Sequence, residues 1–482
     1  MKKISNIYKT LTIQVKASFW FLICGFFSRG ISVITTPIFT RLLTTVEYGQ
    51  YSVFNSWYGI ISVLVTLNLY SGVYAQGLVK FDKRRKELSS SLQGLCFTLT
   101  LCWTAIYILF HNYVNDLLSL TTVQMLALLI MCWSSAVFQF WATEQRVDYK
   151  YQALVIITII VAIAKPGLGI WLVLHSEDKV TARILGLVLV ELIAYSVLFF
   201  KQLISGKQFY SKYFWGYALK FNLPLIPHYL SMTVLNSADR IMIGNMVGSG
   251  EAGIYNLAYS VSQIMTIFNA ALQQTIEPWL YKKIKENKTV GIQAIMIPTL
   301  ILVAIVNIGL IALAPEVIAI FAPSSYYDAI WIIPPIAMSV YFMFMYSFFA
   351  VFEFYYEKTN YIMFATSFGA IVNIILNYIF ISLFGYYAAG YTTLICYILY
   401  ALFHFVFMKK ICDKYANINQ PYDMKVVSAV SAIFVIIGFT FLLTYKHAFL
   451  RYGIVFAIIV LLISDYKKIK IIIKNLANLK KL

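Results

Sequence analysis

Apolar runs of about twenty residues recur from one end of this chain to the other. A helix needs about 20 residues to cross the roughly 30 Å hydrocarbon layer of a bilayer, so each run can span a membrane once. Of the 482 residues, 61% are hydrophobic and only 12% are charged, against roughly 45–50% and about 25% in soluble domains. The sequence therefore predicts an all-α, multi-spanning membrane protein.

We predict about fourteen transmembrane helices, with twelve as the alternative, because three runs are weak. The first and seventh runs carry Arg29 and Arg240, and the last run is short. The predicted spans are 17–39, 51–76, 91–110, 121–142, 153–174, 184–204, 218–241, 254–276, 291–313, 329–351, 361–383, 387–408, 424–444 and 452–465.

The basic residues between these spans indicate the orientation. Nearly all of them fall on one side if both chain termini and the cluster KFDKRRKE at 80–87 are cytoplasmic, as the positive-inside rule requires. The formal charge of +18 then reflects orientation and attraction to membrane lipids, and it is not evidence for nucleic acid. The basic tail at 465–482 is predicted to be a cytoplasmic anchor or an amphipathic helix on the inner leaflet.

A short motif occurs twice, which suggests a duplicated architecture. Residues 47–51, EYGQY, resemble residues 251–255, EAGIY, which follow 204 positions later. Basic residues before and after the neighbouring spans keep about the same offset. We therefore predict a six-helix bundle at 1–204, a pseudo-symmetric second bundle at 205–410, and two additional helices with the basic tail at 411–482. Both bundles keep one orientation, as in transporters with parallel repeats.

The glycine-rich stretch at 244–253, GNMVGSGEAG, is interpreted as a turn between two helices. It lacks the lysine of a phosphate loop. Glycine permits a tight reversal, and Glu251 is expected in the first turn of the next helix, where a carboxylate favours the helix dipole. The pattern predicts no catalytic residue and no cofactor, and the six cysteines show no metal-binding spacing.

Two segments carry a family resemblance: RLLTTVEYGQY at 41–51 and DRIMIGNMVGSGEAGIYNLAY at 239–259. They resemble the polysaccharide exporter family, in its Wzx-type O-antigen flippase branch within the multidrug/oligosaccharidyl-lipid/polysaccharide superfamily. The resemblance implies a bacterial inner-membrane protein that moves undecaprenyl-pyrophosphate-linked oligosaccharides from the cytoplasmic to the periplasmic leaflet by alternating access. It also implies a polysaccharide polymerase and a chain-length regulator as partners.

Charged residues inside predicted spans are the candidate site residues. Arg29 lies near the middle of the first span, and Lys165 lies near the middle of the fifth, before Pro166, which could break the helix. Two central cations suit an anionic substrate, so both are predicted to line a substrate cavity and to attract pyrophosphate or acidic sugars. The alternative is that each pairs internally, for instance with Glu191, the predicted counter-ion.

Further candidates lie at polar positions of later spans. Asp239 and Arg240 are predicted to form a helix cap, an ion pair or a substrate contact, and His228 could titrate near neutral pH. Other polar side chains are expected to make interhelical hydrogen bonds: His404, Asn373 and Asn377.

Three rival functions remain open. The sequence does not exclude flipping of a peptidoglycan precursor, which shares the lipid carrier. A multidrug or cation exporter of the same superfamily would use an intramembrane carboxylate, whereas the first span carries Arg29. A membrane-embedded glycan polymerase or glycosyltransferase would need catalytic groups in a sizeable outer loop, and the predicted outer loops are short. Transport without enzymatic activity is therefore favoured.

Overall fold

The computed structural model describes residues 12–286, 291–416 and 421–464, and over these ranges the chain is helical without a strand. It forms two compact units, Met1–Ile241 and Met242–Leu482. The basic tail predicted at 465–482 lies outside the described residues.

The first unit comprises α1 Ile13–Leu42, α2 Thr45–Thr66, α3 Gly72–Lys80, α4 Arg85–Leu109, α5 His111–Leu118, α6 Thr122–Val147, α7 Tyr151–Leu174, α8 Lys179–Gly206 and α9 Lys212–Asn222. Helix α10, Ile226–Met246, crosses the boundary. The second unit continues with α11 Ser249–Ser262, α12 Ile264–Lys285, α13 Gln293–Ala312, α14 Ala314–Phe321, α15 Ile333–Tyr355, α16 Thr359–Phe384, α17 Ala388–Ile411, α18 Met424–Thr444 and α19 Ala448–Ser464.

The predicted membrane spans coincide with these helices. In the described part of the chain, ten helices are long and apolar enough to cross a bilayer: α1, α4, α6, α7, α8, α13, α15, α16, α17 and α18. The remaining predicted spans overlap α2, α10, α11 with α12, and α19, which are shorter or richer in polar side chains. The all-helical membrane fold is confirmed.

The second span differs from its prediction, because α2 ends ten residues early. Leu67 and Asn68 follow it in the left-handed region, with φ of 49° and 51°, which ends the helix. The Asn222 side-chain amide donates a hydrogen bond of 2.7 Å to the Leu67 carbonyl oxygen, so the reversal keeps a backbone partner.

Helix α9 is an amphipathic helix that the sequence analysis missed, since the predicted seventh span began inside it. Phe214 and Ala218 are buried in a core cluster with side chains of α3 and α4, while Lys212 and Tyr213 are exposed. This packing joins the segment after α8 to the first unit. The repeat boundary predicted at residue 204 stays a prediction.

The second unit is organised around α15. Nearly every side chain of this helix is buried, and it packs against α12, α13 and α17. Gly390 allows α17 to approach closely, because an added Cβ there would lie 3.1 Å from Pro335 and 3.3 Å from Ile332. An apolar helix enclosed on all sides is typical of the centre of a membrane bundle.

The predicted stretch 244–253 does contain a reversal between two helices, but the connection is only residues 247–248, and the rest of the stretch is helical. Helix α10 ends at Met246, and α11 begins at Ser249 with Glu251 in its first turn. The buried Gly253 and Tyr255 follow within the helix. The stretch therefore joins two helices.

Candidate functional site

A buried carboxylate links three helices of the first unit. Glu191 of α8 is 2% exposed. Its carboxylate accepts hydrogen bonds from Ser135 Oγ at 2.7 Å and from Ser134 Oγ at 3.2 Å, both on α6. The same carboxylate forms an ion pair with the Lys165 ammonium of α7. Two hydroxyl donors and one cation therefore offset the desolvation of this charge.

Close contact between α7 and α8 brings this pair together. A Cβ added at Gly186 would lie 2.5 Å from the Gly169 Cα, so the two backbones touch where both residues lack a side chain. Lys165 lies one turn before Gly169, and Glu191 lies just over one turn after Gly186. In an antiparallel helix pair these positions fall at the same level.

Pro166 does not break α7, contrary to the expectation from the sequence. The helix runs from Tyr151 to Leu174 with Pro166 inside it. Membrane helices tolerate such prolines where neighbouring helices cover the freed backbone groups. Lys165 is therefore presented by a continuous helix, and its side chain is 26% exposed.

Arg29 has different surroundings. Its side chain is exposed on α1, and a Cβ added at the neighbouring Gly25 or Gly30 would meet nothing within 4 Å. Over residues 12–286, 291–416 and 421–464, no carboxylate forms an ion pair with Arg29. Of the two predicted cations, Lys165 is therefore paired with a carboxylate, whereas Arg29 is exposed and forms no such pair in the described residues.

Helices α1 and α7 lie side by side in the same direction. Trp20 stacks on Tyr151 with ring centroids 6.4 Å apart, and the Phe39 ring lies against Gly169. Arg29 lies between the two contacts on α1. Lys165 lies between them on α7, so both cations belong to the middle section of this helix pair.

The later candidates lie on α10. Asp239 and Arg240 are buried, and Arg240 Nη1 donates a hydrogen bond of 2.8 Å to the Asn236 carbonyl oxygen. His228 is half-buried, with its ring 5.8 Å from that of Tyr229. The functional roles of Asp239, Arg240 and His228 stay predictions.

The tyrosines of the EYGQY motif in the first unit contact Arg183, an arginine for which no role was predicted. The Arg183 guanidinium lies 3.4 Å from the Tyr51 ring centroid, 4.0 Å from that of Phe39 and 5.1 Å from that of Tyr48. Arg183 is buried, and cation–π attraction to three rings compensates for its burial. The two tyrosines of the motif were the signal that could have indicated a buried cation.

A further carboxylate in each unit is bound across two of its helices. Glu144 of α6 accepts a hydrogen bond of 2.6 Å from Gln202 of α8. In the second unit, Glu353 of α15 bonds His404 of α17 at 2.7 Å, and both are fully buried. Neither glutamate was predicted as a site residue, although Glu353 follows Glu144 by 209 positions and His404 follows Gln202 by 202, close to the repeat offset of 204.

The expected interhelical hydrogen bonds of the second unit are confirmed for His404 and Asn377, whereas Asn373 bonds Asn377 within its own helix. His404 bonds Glu353 on another helix. Asn377 of α16 donates to Asn373 at 3.1 Å and accepts from Thr392 of α17.

A cavity of about 180 Å³ lies between α12 and α15 of the second unit. Gln273, Glu277, Tyr346 and Ser347 contribute polar atoms to its lining, beside the rings of Phe344, Phe348 and Phe354. Amide, carboxylate and hydroxyl groups beside aromatic rings suit a polar, ring-shaped ligand. In the part of the chain that the structure describes, no cluster of three metal-ligating side chains occurs.

Many apolar helices in two units, with charged side chains held among them, define a multi-spanning membrane protein of the transporter type. The chain belongs to the polysaccharide biosynthesis protein family, whose model matches residues 15–283.

Two proteins of Haemophilus influenzae are similar to this chain. A protein of the Lsg locus is 23% identical over 296 residues, which cover 57% of this chain and 68% of the relative. A membrane protein of uncharacterised function is 23% identical over 291 residues, which cover 56% of this chain and 66% of that relative.

Solved structures show the same fold at low identity. The lipid II flippase MurJ, in an inward closed conformation, matches with a TM-score of 0.65 at 15% identity, covering 90% of this chain and 99% of that one. A multidrug resistance MATE family transporter of the MOP superfamily, in its inward-facing conformation, matches with a TM-score of 0.60 at 13% identity, covering 84% and 96%. The chain therefore has the fold of this transporter superfamily.

Proposed function

We propose that this chain is a flippase that moves undecaprenyl-pyrophosphate-linked oligosaccharide repeat units of O-antigen or a related surface polysaccharide from the cytoplasmic to the periplasmic leaflet. The family of polysaccharide biosynthesis proteins and the fold shared with a lipid II flippase support this. The observation that carries the choice of cargo is the exposed cation Arg29 in the first membrane helix.

Arg29 is assigned to the pyrophosphate of the cargo. A charged side chain at the bilayer centre costs about 2.5–3.5 kcal/mol on insertion scales unless it has a partner or a wet cavity. A guanidinium can hold two oxygens of one phosphate at once. Among the described residues no carboxylate forms an ion pair with Arg29. An anionic cargo would supply this partner.

Lys165 is proposed as the second cation that attracts the anionic cargo, with Glu191 as its counter-ion. The ion pair gives the ammonium an anionic partner while no cargo is bound. Because a quarter of the Lys165 side chain is exposed, the ammonium can contact a second anion without leaving Glu191.

The cavity between α12 and α15 of the second unit, taken by itself, is proposed to bind a sugar ring, with Gln273 and Ser347 as hydrogen-bonding groups. We further propose alternating access between the two bundles, a location in the bacterial inner membrane with both termini cytoplasmic, and a polysaccharide polymerase and chain-length regulator as partners.

The rival function is export of organic cations, since multidrug transporters share the fold. Such export needs an intramembrane carboxylate that can bind a cation. Glu191 is engaged by Lys165 and two seryl hydroxyls, so it is poorly suited to this role.

The test is transport by the purified chain in liposomes, with a fluorescent undecaprenyl-pyrophosphate oligosaccharide as cargo. The variant Arg29→Gln should flip this lipid at least about tenfold more slowly, as expected for the loss of one charged hydrogen-bonding partner. The matched control is Arg41→Gln, which removes an exposed arginine from the end of the same helix. Unchanged flipping by Arg29→Gln, or movement of organic cations in place of the lipid, would contradict the proposal.

A further inference from the structure

A second polar cavity, of about 270 Å³, lies at the end of the first unit where α4 begins and where α6 and α8 end. Three exposed lysines contribute to its wall: Lys86 of α4, Lys150 just before α7, and Lys201 of α8. These three lysines come from three different segments and line one space. The substrate site described above uses none of them.

The inner wall of this cavity is held by a continuous set of hydrogen bonds. Gln202 donates to Glu144 at 2.6 Å and accepts from Gln93 at 2.7 Å. The Ser89 and Tyr74 hydroxyls bond each other at 2.7 Å. Side chains fixed in this way form a preorganised polar surface, which costs little ordering entropy when a ligand binds.

The charge of the cavity is positive. Glu144 is the carboxylate of its lining, against the three ammonium groups. Lys150 also bonds the adjacent Asp148 at 2.9 Å, and this hydrogen bond raises the pKa of Lys150, so its charge persists at neutral pH. The Asp148 carboxylate is shared between Lys150 and Arg85, the latter at 3.0 Å, and it does not pair with Lys86 or Lys201. An anion is the ligand that this balance favours.

Apolar stripes run from the cavity along two helices toward the membrane interior. On α8, Val197 and Ile193 lie four and eight residues before Lys201, and both are exposed. On α7, Ile156 and Ile160 lie three and seven residues after Ala153, which lines the cavity, and both are exposed. Helical periodicity places each set on one face. An ammonium cluster continued by two apolar stripes matches a phosphate headgroup with attached hydrocarbon chains.

We propose that this cavity binds the phosphate headgroup of an anionic lipid, with its hydrocarbon chains along the stripes of α7 and α8. Lys86, Lys150 and Lys201 bind the phosphate, and the hydrogen-bonded inner wall fixes their spacing. A bilayer phospholipid and a polyprenyl diphosphate lipid share this chemistry. The inference does not depend on the cargo proposed above, because it uses other residues.

The test is lipid binding to the full purified chain in a neutral detergent, measured by native mass spectrometry. The probes are phosphatidylglycerol, undecaprenyl diphosphate and zwitterionic phosphatidylcholine. The triple variant K86Q/K150Q/K201Q should bind the two anionic lipids at least about tenfold more weakly, because each basic side chain near an anionic lipid contributes to attraction. The unmodified chain should prefer both anionic lipids to phosphatidylcholine.

The matched control is K83Q/K207Q/K212Q, which removes the same charge from exposed lysines near the same end of the unit. This control should bind anionic lipid within about twofold of the unmodified chain, since its lysines do not line the cavity and screened surface charges act weakly. An equal loss in both variants would overturn the proposal in favour of diffuse attraction. Equal melting temperatures of the variants would show that folding is not the cause.

A further arm separates a lipid from a free anion. Millimolar inorganic phosphate or diphosphate should fail to displace phosphatidylglycerol, and Val197→Ser with Ile156→Ser should weaken lipid binding. Displacement by the soluble anions, with no effect of the serine substitutions, would overturn the lipid assignment.

Competition between phosphatidylglycerol and undecaprenyl diphosphate identifies which lipid phosphate binds more tightly, and binding of either supports the site. Flipping by Arg29→Gln is measured separately, so the two proposals fail independently.

Discussion

The two residues of the ion pair between Lys165 and Glu191 are buried to different extents. The Glu191 side chain is 3% exposed, whereas the Lys165 side chain is 26% exposed. The carboxylate also has two hydroxyl donors, Ser134 and Ser135. Lys165 can therefore recover hydration if its partner is lost, while Glu191 cannot. This asymmetry makes the two single substitutions unequal.

Lys165→Gln should destabilise the protein by about 2 kcal/mol, because it leaves a buried carboxylate without its cation. Glu191→Gln should cost less than about 1 kcal/mol, since glutamine keeps the contacts with both serines and leaves a partly hydrated ammonium. The double variant should recover most of the loss of Lys165→Gln. Thermal unfolding in detergent measures all three, and equal losses in the two single variants would show that the pair is not asymmetric.

At the scale of elements, the contact between α7 and α8 controls whether Lys165 and Glu191 meet. Gly169 and Gly186 let the two backbones touch, as small residues do at membrane helix interfaces. A side chain at Gly186 would force the helices apart, whereas a Cβ at Gly169 would make ordinary contact with the Phe39 ring at 3.4 Å. The ion pair therefore depends on Gly186, a residue that carries no functional group.

Gly186→Ala should destabilise the first unit by about 2–3 kcal/mol, because its Cβ would overlap the Gly169 backbone. The control is Gly167→Ala in α7, where a Cβ meets nothing within 4 Å. Alanine there should be neutral or stabilise the helix by about 0.5–1 kcal/mol. Opposite signs in a thermal unfolding assay are expected, and a neutral Gly186→Ala would contradict close packing.

For the whole molecule, the distribution of basic residues and the helix order together predict the orientation. Residue 83 lies before α4, and residue 177 lies between α7 and α8. The spans α4, α6 and α7 separate them, so the two positions face opposite sides of the membrane. The positive-inside rule assigns the first to the cytoplasm.

Single cysteines at these exposed positions test the orientation in cells. Cys102 is replaced by alanine first, because it is an exposed thiol. With Glu177→Cys, a membrane-impermeant maleimide added outside should label the protein, whereas Lys83→Cys should react only after the membrane is opened. The reverse pattern would show that the termini are not cytoplasmic.

Part of the candidate site could be predicted from the sequence and part could not. Arg29 and Lys165 were predicted as candidates because a charged residue within an apolar run can be recognised directly in the sequence. Arg183 and Glu144 were missed because they lie near span ends, where charged side chains are normally solvated. Their roles depend on aromatic rings and amides supplied by other helices, which sequence spacing does not reveal.

The sequence by itself determined the all-helical membrane fold, the helix order and the turn at 244–253. Each of these follows from local features, namely the length of the apolar runs and the glycine-rich composition of the stretch between two of them. Only the tertiary structure decided that Lys165 is paired while Arg29 is open, that Pro166 leaves α7 intact, and that three lysines converge on one cavity. The physical reason is that pairing and burial depend on which helices touch, and contacts between residues far apart in the chain are set by packing.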